Sequence, residues 1–151
     1  MIPFASLAAV VAVAAAAAAA PLQLETRILA ERPGAAGTAP VLAPARRMLP
    51  GDPLVVELAY RNTGAAAITG LVLANPIPQG LAYRGGQPDM PVPDLSVDGS
   101  RFGPLAVLTV ALPGGGTRPA TAADVTHVRW RLPAALAAGG SGRLAFRAVV
   151  R

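Results

Sequence analysis

The chain has 151 residues, a formal net charge of +5 at pH 7 and no cysteine, which excludes disulfides, thiol nucleophiles and thiolate metal sites. Charged residues make up only 14%, against the ~25% usual in soluble domains. All 13 basic residues are Arg. In a chain so rich in Ala, Gly and Pro this reads as GC-rich codon usage, and the positive balance is only mild support for anionic partners.

Residues 1–20 are apolar except for Ser6, with Pro3 as the one early breaker. The stretch Leu7 to Ala19 carries no charge. It is too short and too Ala-rich for a membrane span of ~20 residues, and small residues close it, as at a signal-peptide cleavage site. Residues 1–20 are therefore read as a signal peptide helix. Pro21 disfavours a cut directly before it, which places cleavage after Ala19. The start, MIPF, lacks the usual Arg or Lys. No Cys follows, so no lipoprotein anchor is expected. These features predict export to the periplasm or the outside of the cell, with no membrane span in the mature protein.

Residues 21–151 are predicted to form one domain, a size that can bury a sizeable core. Leu22 to Glu31 reads as a first strand, with Leu22, Leu24, Thr26 and Ile28 on one face and Glu25 and Arg27 on the other. Residues 33–47, rich in Pro, Gly and Ala, read as a flexible connection around the apolar island Val41-Leu42, with room for a short edge strand. Pro50-Gly51-Asp52-Pro53 breaks any earlier element. Leu54, Val56, Leu58 and Tyr60 then alternate with Val55, Glu57, Ala59 and Arg61, the period of a strand with one buried face. Arg61-Asn62-Thr63-Gly64 is predicted to turn, through positive φ or through side chains bonding nearby backbone. Ile68 to Ala74 starts a second strand, which Asn75-Pro76-Ile77-Pro78 stops because proline donates nothing to a ladder.

Residues 85–104 read as a long loop, with Leu95-Ser96-Val97 pairing briefly before an Asp98-Gly99 turn. Leu105 to Leu112 reads as an apolar strand ended by Pro113-Gly114-Gly115-Gly116. In Val125 to Leu132, Val128, Trp130 and Leu132 point inward, and His127, Arg129 and Arg131 outward. Ala134 to Ala138 has room for one helical turn. In the last strand Leu144, Phe146, Ala148 and Val150 face in, and Arg143, Arg147 and Arg151 face out. About seven short strands with Gly/Pro turns predict an all-β fold, an antiparallel immunoglobulin-like β-sandwich.

The run PGD-x-L-x-x-x-L-x-Y-x-NTG followed by NPIPQGLAY resembles the bacterial repeat domain called domain of unknown function eleven. Gly51, Asp52, Tyr60, Asn62, Gly64, Pro78 and Gly80 carry the match. Ser96 to Leu105, His127 to Leu132 and Gly142 to Val150 resemble its downstream parts. The likeness runs from about Leu49 to the C-terminus, in a single copy. It implies an immunoglobulin-like β-sandwich of bacterial surfaces or envelopes, and it brings no catalytic residues.

Few residues offer chemistry. His127 is the only His; with no Cys it reads as a strand-rim residue beside Arg129, not a base or metal ligand. Asp89, Asp94 and Asp98 have loop spacing that a calcium site would use, but the intervening prolines and the missing closing Glu do not suit one. No metal, cofactor or catalytic residue is expected, and the chain is read as a non-enzyme. The surface signal is Arg129, Arg131, Arg143 and Arg147. If the last two long strands are antiparallel neighbours, these four share one face and could contact a partner or an anion. No aromatics interleave there, which argues against nucleic acid. The expected function is protein–protein contact with an envelope or surface protein. The alternative is binding of anionic envelope polymers through the Arg face.

Overall fold

The computed structural model describes residues 21–151; the signal peptide and its cleavage site lie outside the described residues. Those residues form an all-β fold of antiparallel sheets with ten strands, more than the seven expected. They are β1 (Leu22–Arg32), β2 (Val41–Pro44), β3 (Pro53–Asn62), β4 (Val72–Pro76), β5 (Leu81–Gly86), β6 (Asp94–Ser96), β7 (Thr109–Ala111), β8 (Thr117–Pro119), β9 (His127–Arg131) and β10 (Ser141–Val150). A five-stranded sheet has the order β2-β1-β3-β10-β5, a three-stranded sheet the order β4-β9-β6, and β7 and β8 form a separate hairpin.

The alternation in β3 and β10 produces what it predicts. Leu54, Val56 and Leu58 of β3, and Leu144, Phe146 and Ala148 of β10, lie in one buried cluster with Leu73, Val128, Trp130 and Leu95 of the three-stranded sheet. Phe146 is central: its ring lies 6.3 Å from Trp130 and 6.0 Å from Tyr83, both at tilted angles that suit aromatic quadrupoles. The Trp130 indole N–H donates to the Pro91 carbonyl at 3.0 Å, so the core aromatic also pins the stretch leading into β6.

Several local expectations are corrected. Leu105 to Leu112 is not one strand. Leu105–Val107 is a 3-10 turn, and only Thr109–Ala111 is extended. Of this run Leu108 alone is buried, while Val107 and Leu112 are exposed, so the hydrophobicity there never assembles one continuous face. Ala134 to Ala138 makes no helical turn; Leu136 exchanges two backbone hydrogen bonds with Ile68. That bridge explains why Ile68 lies outside β4: it pairs with Leu136, and β4 pairs with β9. Two other expectations agree with the structure: the short edge strand at Val41 is β2, paired with β1, and the brief pairing around Leu95 is β6, paired with β9 over three residues.

The Arg61 to Gly64 turn works through side chains. Asn62 is fully buried, and its amide donates to the carbonyls of Ala66, Leu136 and Ala137. Its carbonyl accepts from the Gly64 N–H at 2.9 Å. Gly64 has no positive φ. A Cβ there would stand 2.8 Å from the Pro21 Cβ, so close approach is what requires glycine.

Candidate functional site

The four outward Arg do not share a face. β9 and β10 are not neighbours: β9 lies between β4 and β6, and β10 between β3 and β5. Arg129 and Arg131 therefore sit on the outer face of the three-stranded sheet, and Arg143 and Arg147 on the outer face of the five-stranded one. The phase was read correctly, since all four are out of phase with Trp130 or Phe146. The pairing was not, because two strands close in sequence need not be hydrogen-bonded when each has a better partner elsewhere.

Each of these Arg also faces a carboxylate. Arg129 donates to Asp94 at 2.9 Å, and Arg131 approaches the same carboxylate at 3.9 Å. Arg143 lies 3.6 Å from Glu57, and Arg147 lies 3.7 Å from Glu31. Arg129 is the most constrained, its guanidinium stacked 4.3 Å above the Phe102 ring, a geometry that favours cation–π attraction. Arg131 is mostly exposed.

The outer face of the five-stranded sheet is an interleaved charge lattice. Register places Glu25, Arg27 and Glu31 of β1 beside Glu57 and Arg61 of β3, and these beside Arg143 and Arg147 of β10. Val55 and Ala145 lie on this outer face yet are only 2% exposed. The Arg143 and Arg147 stems cover this apolar surface while their charged ends stay in water, and Glu57 is itself buried beneath them. The acidic half of this lattice went unread, because Glu25, Glu31 and Glu57 become neighbours of the Arg side chains only through the strand order. A shallow groove of about 530 Å³ opens on the same face, its lining including Gln23, Glu25, Ala59, Arg61, Ser141 and Arg143.

The loop aspartates serve the loops. Asp98 accepts from the Ser100 and Arg101 N–H groups and from the Ser96 hydroxyl. The Arg101 and Ser100 amides, in that order, hold its carboxyl far below the usual range. Asp94 is committed to Arg129 and Arg131, and Asp89 takes a positive φ of 61° in its turn. These three do not converge. Asp124 accepts two bonds from Arg118 and two from Thr121. The Arg118 guanidinium chiefly, then Thr121, hold its carboxyl far below the usual range. That bond set fastens β8 to the 3-10 turn Ala122–Asp124 and had no legible signal. His127 shares a 2.9 Å hydrogen bond with the Thr126 hydroxyl, and a Cβ on Gly99 would stand 2.9 Å from its ring. Among the described residues no three His, Asp or Glu side chains gather as a metal site, and no helix is long and apolar enough to cross a membrane.

One structural feature lay hidden in a correct alternation. Leu24 and Ile28 face the core side of the sheet, in register with Tyr60 and Val56, yet they are 49% and 38% exposed. The smaller sheet meets β1 at Thr26, whose hydroxyl donates to the Asn75 side-chain carbonyl oxygen at 3.3 Å, and leaves Leu24 and Ile28 partly uncovered.

The described residues form an all-β fold of antiparallel sheets around one buried cluster. No protein-family model, no curated protein and no solved structure matches the chain.

Proposed function

We propose that the chain is an exported, immunoglobulin-like β-sandwich module that works by protein–protein contact in the cell envelope or outside the cell, as its likeness to domain of unknown function eleven implies. The observation that carries the reading is what the motif residues do. Gly51 has a φ of 94° and Gly80 one of 81°, a region open to glycine at little cost. Asp52 accepts from the Leu49 N–H at 2.8 Å. Asn62 joins the end of β3 to the Leu136 and Ala137 carbonyls, and Gly64 lets Pro21 approach. The motif thus holds turns and junctions, and it leaves faces, edges and loops free of that task. Such a chain offers surfaces to a partner.

The competing reading, binding of anionic polymers, has weaker support, since the Arg set is divided between two faces and every member stands beside a carboxylate. Cell fractionation with intact-mass measurement tests the export. The protein is expected outside the cytoplasm without residues 1–19; a cytoplasmic chain that keeps Met1 would overturn the reading. Retention on an anionic polymer that falls steeply with salt would favour the competitor.

A further inference from the structure

A strand edge with unpaired backbone groups is a template for another strand, and folds usually blunt such edges with proline, bulges or short length. Most edges here are blunted. β2 has four residues and ends in Pro44, and β6 has three. β4 ends in Pro76, whose carbonyl accepts from the Asn75 side chain. β5 carries a register shift opposite Arg147/Ala148.

The first half of β1 differs. Pairing with β2 begins only at Leu29, and among the described residues nothing pairs with the far side of Leu22 to Arg27. Two hydrogen bonds fix which groups point there. The Pro21 carbonyl accepts from the Thr63 N–H, which sends the odd-numbered residues toward β3. The Ile28 carbonyl accepts from the Ala45 N–H, which sends the even-numbered ones outward. The backbone groups of Leu22, Leu24 and Thr26 therefore line an open edge. Pro21, being odd, withholds no donor from it.

We propose that this edge pairs with the same edge of a second copy, antiparallel about a twofold axis at Leu24, joining two five-stranded sheets into one. Two neighbouring registers meet obstacles that this one avoids. An axis at Thr26 would bring Leu24 against Ile28 of the other copy, where Ala45 already sits. An axis at Glu25 would set two carboxylates opposite each other, which disfavours pairing. At Leu24 the two exposed Leu24 side chains meet, Leu22 faces Thr26, and the Gln23 amide stands opposite Glu25, which keeps its own Arg27 at 2.9 Å. No like charges are opposed. The proposal rests on the contact reading above, of which it names one partner.

The absence of cysteine gives a clean test. In the protein as isolated, Leu24→Cys is expected to form a disulfide-linked dimer under mild oxidation at least about tenfold faster than Val72→Cys, because the twofold axis raises the effective thiol concentration. Val72 is the matched control, at 46% exposure on the β4 edge. Light scattering should give twice the monomer mass, and Leu24→Lys should return the mass to monomer with an unchanged β-sheet spectrum. A protein that stays monomeric at high concentration overturns the proposal. So does a dimer insensitive to Leu24→Lys, or equal cross-linking rates for the two Cys variants. Partner capture from envelope extract reads the broader contact function separately and can succeed where self-pairing fails.

Discussion

Trp130 and Asn62 show two ways in which one buried side chain holds this fold. Trp130 is 2% exposed and touches Phe146. Trp130→Ala should cost ~3–5 kcal/mol, as for other large buried aromatics, and denaturant unfolding of wild type and variant would show it. Asn62→Leu removes no bulk but deletes four side-chain hydrogen bonds, to the Ala66, Leu136 and Ala137 carbonyls and from the Gly64 N–H. A hydrogen bond contributes about 0.5–1.5 kcal/mol net, so a loss of at least ~2 kcal/mol is expected in the same assay. On the surface, β9 carries two Arg of unequal weight. Arg131→Ala should fall within about ±0.5 kcal/mol, as exposed changes usually do. Arg129→Ala should cost more, since it removes both the Phe102 stack and the partner of Asp94. Equal melting temperatures for these two variants would contradict that ranking.

At the scale of elements, alternation made β3, β9 and β10 legible, down to which side chains face the core. It did so because period two is local: a strand declares its two faces without reference to its neighbours. Strand order is not local, and here the reading of an Arg face failed. Nothing in the spacing of His127–Arg131 and Ser141–Val150 says that β3 and β5 flank the second while β4 and β6 flank the first. The exposure of Leu24 and Ile28 was hidden for the same reason. Their phase was plain, but the reach of the opposite sheet was not. The hairpin β7–β8 and the Asp124 bond set were missed because short, amphipathically mixed runs carry no period, and a carboxylate's partners depend on tertiary placement. Asp98 and Asp124 also set an acid limit. The native state holds both carboxyls below their ordinary pKa, so the unfolded chain takes up protons first as pH falls. Their contribution is complete above the ordinary carboxylate pKa of about 3.9 and is lost progressively below it. Melting temperature should be flat from neutral pH toward about 5 and fall below about 4. Asp98→Asn should flatten part of that fall, and an acid slope identical to wild type would contradict the assignment.

At the scale of the whole molecule, motif residues hold turns, outward Arg side chains stand beside carboxylates, and one edge among the described residues is unblunted and left for contact. Residue-resolved amide exchange along β1 tests this most directly. In dilute protein the Gln23, Glu25 and Arg27 amides, which point to β3, should be protected, while those of Leu24 and Thr26 exchange freely. Raising the concentration should slow Leu22, Leu24 and Thr26 and leave the β3-facing amides unchanged. Uniform protection in dilute protein would mean that another segment already covers the edge, and free exchange of Leu24 and Thr26 at every concentration would mean that the edge takes no second copy. Either result would contradict the account.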